Sequence, residues 1–145
     1  MATGIQVVFD CADPVKQAGF WAEALHYRFP EPPPGFGSWP EWAAAQGTPA
    51  EDQNGFAAIE DPDGKGPRIF LQRVPEPKTA KNRMHIDLNA SGDPGTTIDE
   101  RKRRIFAEVE RLKALGASDA RGAMEQLGEF WVRMNDPEGN EFCVQ

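Results

Sequence analysis

One arrangement of segments occurs twice in this chain and restricts its fold more than any other feature. A strand-like segment and a helix-like segment are followed each time by strands around an Asp-Pro-acid-Gly turn, at 61–64 and at 136–139. When these turns are superimposed, Ile69–Gln72 falls on Phe142–Gln145, and Gln6–Asp10 falls on His85–Asn89. Such a duplication predicts two similar units that cover each other's exposed sheet faces, with the concave surface between them as the natural pocket.

The first copy contains one long predicted helix among predicted strands. Alternating apolar residues predict a strand over Ile5–Asp10 with Val8 on its polar face, and Asp13 before Pro14 is a typical helix start. The helix is predicted over Pro14–His26, with Val15, Ala18, Ala22 and Leu25 on an apolar stripe that Phe20 and Trp21 widen. Two further strands are predicted over Gly55–Glu60 and Pro67–Val74.

The second copy opens with the clearest alternation in the chain. A strand over Asn82–Asn89 would place Met84, Ile86 and Leu88 on the packed face and His85, Asp87 and Asn89 on the open face. A helix is predicted over Ile98–Leu115, beginning after Thr97 or Asp99 and ending at Gly116. Its buried stripe is predicted to be Ile105, Phe106, Val109, Leu112 and Leu115. Three strands are predicted after the helix, over Ala123–Leu127, Glu129–Asn135 and Asn140–Gln145.

The segment from Phe29 to Asn54 has a different composition. Closely spaced prolines and glycines exclude long regular elements, while Ser38 precedes a short predicted helix that carries Trp39 and Trp42. A long aromatic loop of this kind is either a lid or binding loop, or a packed flap that covers one end of a sheet.

Composition excludes several classes of function. A net charge of −7 and a pI of about 4.8 argue against nucleic acid or an anionic membrane as a partner. The sequence has no apolar run of membrane-spanning length and no export signal. Its two cysteines fit reduced thiols better than a disulfide, so we expect a cytoplasmic protein. The run Arg101–Arg104 lies among acidic residues and is interpreted as a solvated helix face.

Two stretches resemble a known superfamily. They are similar to the glyoxalase-like domain branch of the vicinal oxygen chelate superfamily. The first stretch is Phe70–Lys78 running into Lys81–Leu88, and the second is the helix segment Phe20–Leu25. That superfamily includes glyoxalase I, bleomycin-resistance proteins and extradiol dioxygenases. The resemblance implies an α+β fold in which residues 1–145 form one domain of two βαβββ modules. The modules lie at about 4–75 and 82–145, a linker at about 76–81 joins them, and together they form a concave sheet cleft. A homodimer is plausible by the same analogy.

The resemblance also implies where a divalent metal would bind. One ligand position falls on the first and last strand of each module, which here are Gln6, Phe70, His85 and Cys143. Phe70 offers no ligand atom, and a thiolate beside an imidazole suits zinc better than a hard, oxygen-rich site. We therefore expect no catalytic metal. The alternative is a divalent-metal-dependent glyoxalase- or dioxygenase-like enzyme that uses Gln6, His85 and Cys143.

The expected function is binding of a small, partly aromatic molecule in the cleft. His85 next to Asp87 also matches what general acid–base catalysis requires, although His85 can equally be a polar wall residue and Asp10 and Asp87 can make structural hydrogen bonds at strand ends. The remaining candidate ligand-binding residues are Gln6, Asp10, Trp39, Trp42, Phe70, Gln72, Asn89, Cys143 and Gln145.

Overall fold

The computed structural model describes all residues from Met1 to Gln145. The chain forms two compact units, Met1–Pro77 and Lys78–Gln145. Each unit combines a small mixed sheet with a helix packed on one of its faces, so the fold is α+β as predicted. The helices are all too short or too polar to cross a lipid bilayer.

The first unit contains a three-stranded sheet. Its elements are β1 (Gln6–Cys11), α1 (Pro14–Leu25), α2 (Trp39–Ala45), a single 3-10 turn (Ala50–Asp52), β2 (Phe56–Ile59) and β3 (Arg68–Arg73). The strand order is β1-β3-β2, in which β3 runs parallel to β1 and antiparallel to β2. An isolated bridge between Arg28 and Glu60 extends the sheet beyond the end of β2.

Helix α1 packs on β2 and β3, and its ends follow the sequence signals. The Asp13 carboxylate accepts a hydrogen bond from the Lys16 N–H at 3.1 Å, and the helix ends at His26, which has a left-handed φ of 57°. The predicted apolar stripe was wrong at Val15, which is 46% exposed. The buried stripe is rotated towards Gln17 and Trp21, and the Trp21 ring stacks on Phe9 of β1 with centroids 5.3 Å apart.

The second unit contains a four-stranded sheet. Its elements are β4 (Asp87–Leu88), α3 (Ile98–Leu115), β5 (Ser118–Gln126), β6 (Glu129–Asn135) and β7 (Glu141–Val144), with strand order β4-β7-β6-β5. Helix α3 begins at the cap Thr97, ends at Gly116 with a φ of 114°, and packs on β6 and β7. Phe106 was predicted to be buried but is 47% exposed, and it contacts the Phe130 ring at the edge of the helix.

The strand predicted over Asn82–Asn89 is much shorter than its alternation suggested. Only Asp87–Leu88 is a strand, and Met84, predicted to lie on the packed face, is 80% exposed. The register explains the difference, because Asp87 pairs with Cys143 in a parallel ladder and β7 begins only at Glu141. Residues before His85 therefore have no partner strand, and the backbone N–H of Asn82 bonds instead to the Glu141 carboxylate at 2.9 Å.

The predicted duplication is visible in the registers of the two sheets. Val8 pairs with Phe70 in the first unit, and the corresponding residues Asp87 and Cys143 pair in the second. The two Asp-Pro-acid-Gly turns have the same hydrogen bonds: Gly64 and Gly139, both with positive φ, donate to the carbonyls of Asp61 and Asp136 at 3.0 Å. The counterpart of β5 in the first unit is reduced to the Arg28–Glu60 bridge.

Candidate functional site

An aromatic cavity of about 780 Å³ lies within the first unit. One wall is the sheet face opposite α1, which carries Phe56 and Phe70, and the other wall is the segment 29–54. Phe70 alternates along β3 with the buried Ile69 and Leu71, so the strand period places its ring on the cavity side. The segment contributes the aromatic side chains Phe29, Trp39 and Trp42.

Local hydrogen bonds fix the segment that forms the outer wall. Ser38 caps α2 by accepting from the Glu41 N–H at 3.2 Å, and the Trp39 indole N–H donates to the Pro30 carbonyl at 2.8 Å. The Trp39 and Trp42 rings meet edge to face with centroids 5.5 Å apart. On the other side of the segment, the Arg73 guanidinium of β3 donates to the carbonyls of residues 51 and 54 at 3.1 and 3.2 Å. These contacts tie the aromatic wall to the sheet.

A cation lies beside the aromatic rings of the sheet wall. The Phe56 and Phe70 rings are nearly parallel, at 17° and 6.3 Å between centroids. The Arg68 guanidinium carbon lies 5.6 Å from the Phe70 centroid, and one Arg68 nitrogen donates to the Gln6 amide oxygen at 2.6 Å. Sequence reasoning missed Phe29, Phe56 and Arg68, although the strand alternation that selected Phe70 and Gln72 places Arg68 on the same face.

The other predicted residues of the first unit lie outside this cavity. Asp10 and Gln72 share the same sheet face but bond to each other, with the Gln72 amide donating to the Asp10 carboxylate at 2.8 Å. This contact matches the structural interpretation of Asp10. Gln145 and Asn89, their counterparts in the second unit, are joined in the same way at 3.1 Å.

A second cavity, of about 640 Å³, lies on the sheet face of the second unit opposite α3. It brings together four of the predicted residues, His85, Asp87, Cys143 and Gln145, whereas Asn89 does not line it. Residues that sequence reasoning missed form the rest of the polar and aromatic lining: Lys81, Arg121, Glu129, Trp131, Arg133, Asn135, Glu141 and Phe142.

Three side chains in the second cavity form a compact cluster. The His85 Nε2 atom lies 3.3 Å from Asp87 Oδ1, and the possible ligand atoms of His85, Asp87 and Cys143 all lie within 4.8 Å of one another. Burial raises the pKa of the Cys143 thiol, and the negative charge of Asp87 raises it further. Both His85 and Asp87 are about two-fifths exposed, so solvent reaches the cluster.

Several solved structures share this fold along nearly their whole length. A glyoxalase/bleomycin resistance protein/dioxygenase family enzyme from Burkholderia phytofirmans is 13% identical with a TM-score of 0.62, and the match covers 96% of this chain and 94% of that one. The fosfomycin resistance protein FosX from Listeria monocytogenes is 12% identical with a TM-score of 0.62, covering 99% and 93%. A glyoxalase-related enzyme from Fulvimarina pelagi is 14% identical with a TM-score of 0.57, covering 98% and 87%.

The fold with its paired modules is that of the vicinal oxygen chelate superfamily, as the sequence resemblance predicted. Within it, the family model described as "Glyoxalase-like domain" matches residues 6–145, and the chain belongs to that family. No curated protein matches the chain.

A FosX variant from Listeria monocytogenes, 12% identical to this chain, has been solved with Mn(II) and 1S,2S-dihydroxypropylphosphonic acid. The metal-ligand positions that the sequence resemblance implies for this chain do not suit such an ion. Phe70 has no donor atom, and the Gln6 amide oxygen already accepts from the Arg68 guanidinium, whose positive charge 2.6 Å away opposes a second cation. His85 and Cys143, with Asp87, offer one nitrogen, one sulfur and one oxygen, a donor set suited to zinc rather than manganese.

Proposed function

We propose that the protein binds a small, partly aromatic molecule in the cavity of its first unit and does so without a metal. The observation that supports this function is the pair of aromatic walls, one on the sheet and one on the segment 29–54, around a volume of about 780 Å³. Cavities of roughly 300–1,000 Å³ with mostly apolar linings are typical small-molecule sites. A flat ring between such walls would lose apolar surface to the protein on both of its faces.

The chemistry of the lining favours binding over catalysis. The cavity is lined by no histidine or cysteine, Glu31 is its one carboxylate, and the Ser38 hydroxyl is engaged as the cap of α2. A nucleophile next to a base, or an acid–base pair, is what covalent or proton-transfer catalysis would need. The polar groups that remain are mainly amides and Arg68, which orient a ligand rather than transform it.

Titration with a neutral bicyclic aromatic, naphthamide, tests this function. We expect saturable binding by calorimetry, and Trp42→Ala should weaken it by about tenfold or more because buried aromatic anchors dominate such sites. Trp131→Ala is the matched control, since Trp131 lines the other cavity, and it should leave the affinity unchanged. Loss of binding in Trp131→Ala with full binding in Trp42→Ala would place the ligand elsewhere and contradict the proposal.

A second candidate function rests on the compact cluster of His85, Asp87 and Cys143. We propose it as a zinc site, because its nitrogen, oxygen and sulfur atoms lie within 4.8 Å of one another. A zinc ion bound by three protein ligands leaves one position for water or substrate and acts there as a Lewis acid.

Metal analysis of purified protein, followed by zinc titration, tests this candidate. We expect one zinc per chain and loss of it in both His85→Ala and Cys143→Ser, with unchanged circular dichroism. Arg83→Gln is a control that alters a nearby exposed side chain outside the cluster. Zinc retained by both ligand variants, or manganese preferred over zinc, would contradict the assignment.

A further inference from the structure

We propose that the ligand of the first-unit cavity is an aromatic monocarboxylate, and that Arg68 is the residue that selects it. This inference rests on the proposed binding function and adds the charge of the ligand to it. The observation that carries it is a guanidinium group in the cavity lining that makes one hydrogen bond, to Gln6, and has no acidic partner.

The three arginines of the first unit differ in what they contact. Arg28 forms an ion pair with Glu60 at 3.0 Å, and Arg73 donates to two carbonyls of the segment 29–54. Arg68 donates one hydrogen bond to the neutral amide of Gln6 and forms no ion pair. Of these three side chains, Arg68 alone lines the aromatic cavity, so its charge is available to a ligand.

The surroundings of Arg68 suit a ring that carries a carboxylate. Arginine has five N–H donors in a fixed plane, and the bond to Gln6 uses one of them while restricting the position of the group. Two of the remaining donors match the two oxygens of a carboxylate. The Phe70 ring beneath the guanidinium and the nearly parallel Phe56 ring lie next to this point, where the aromatic part of the same molecule would pack.

The charge balance of the lining favours a monoanion over a phosphate ester. Arg68 is the one cation of the cavity lining, and Glu31 is its one acid. Because these two charges cancel, a bound carboxylate leaves one excess negative charge in the lining, which the Arg68 guanidinium can pair with directly. A phosphate ester brings about two charges at neutral pH, which would leave a larger excess negative charge in a protein that already has a net charge of −7.

Binding of naphthoate and of naphthamide, two ligands of nearly the same shape that differ in charge, tests the inference by calorimetry at low and moderate salt. Wild type should bind naphthoate about tenfold more tightly than naphthamide, since hydrogen bonds to charged groups are stronger than those between neutral groups. Arg68→Gln should abolish this preference by weakening naphthoate alone, and Gln6→Leu should reduce it by freeing the guanidinium. Arg83→Gln removes the same charge from outside the cavity and should leave the preference intact.

The outcomes separate this inference from the function on which it rests. If both ligands bind equally and Arg68→Gln changes neither affinity, the cavity binds aromatic molecules but Arg68 does not select an anion. If neither ligand binds wild type, the proposed binding function itself fails. A preference for naphthoate that survives in Arg68→Gln and disappears in Arg83→Gln would attribute the selection to another surface and overturn the inference.

Discussion

Asp136→Ala should destabilise the second unit strongly, because this carboxylate organises the turn between β6 and β7. Asp136 is 2% exposed, and its Oδ1 atom accepts from the backbone N–H groups of Glu138 and Asn140, each at 2.9 Å. The Asn140 side-chain amide donates to both carboxylate oxygens, at 3.1 and 2.9 Å. Alanine would leave at least two buried donors without this acceptor, so we expect the free energy of unfolding to fall by about 3–4 kcal/mol.

Urea denaturation followed by circular dichroism measures this loss, and the duplicated turn supplies the control. Asp61 makes the equivalent contacts, accepting from the N–H groups of Asp63, Lys65 and Gly66 at 2.9, 3.0 and 2.7 Å. That turn is more exposed, so water can replace the lost acceptor in Asp61→Ala and the loss should be smaller. Equal losses in the two variants would refute the argument that burial of the Asp136 network determines its contribution.

Three further predictions concern single contacts. His26→Gly should raise the free energy of unfolding, measured in urea, by about 0.5 to 1 kcal/mol. His26 ends α1 with a left-handed φ of 57°, which costs energy for a residue with a side chain but not for glycine. A decrease would contradict this. Hydrogen bonds from Arg103 and Arg104 lower the pKa of Glu100 from 4.5 to about 2, so the stability that the charged form contributes is present above pH 4.5 and lost as the pH falls through 2. The melting temperatures of wild type and Glu100→Gln should therefore differ at about pH 6, where Glu100 is charged, and converge towards pH 2. A difference that stays constant with pH would show that the charge of Glu100 is not its cause. Trp39→Phe keeps an aromatic side chain but removes the indole N–H that bonds to the Pro30 carbonyl, which should lower the free energy of unfolding by about 1 kcal/mol in the same urea assay. An unchanged midpoint would show that the bond contributes nothing.

Much of the fold follows from local sequence rules. Asp13 and Ser38 cap the first two helices as predicted, and Thr97, one of the two predicted starts, caps the third, because each side chain satisfies a backbone donor that the first turn leaves free. The superposition of the two Asp-Pro-acid-Gly turns predicted which residues of the two copies correspond, and the ladders agree, since Val8 pairs with Phe70 and Asp87 with Cys143. The ion pairs of Arg103 and Arg104 with Glu100 agree with a solvated helix face.

Features that depend on a distant partner could not be read from the sequence. The alternation around Met84 is genuine, but a strand needs a neighbour, and β7 starts too late to provide one. Prolines and tryptophans in the segment 29–54 left a binding loop and a covering flap equally open, because composition does not say which surface a loop covers. In the structure the segment lies over the sheet of its own unit and forms one wall of a cavity that is open to solvent, so covering the sheet and forming a pocket are here the same arrangement.

The location of the ligand is the central claim, and the four tryptophans report on it independently. Trp39 and Trp42 line the first-unit cavity, Trp131 lines the second-unit cavity, and Trp21 of α1 is buried against Phe9 of the sheet at 1% exposure. Indole N–H signals in a nitrogen-15 NMR titration with naphthoate distinguish these environments. We predict saturable shifts for Trp39 and Trp42 with Trp21 and Trp131 unchanged, whereas a shift confined to Trp131 would contradict the account.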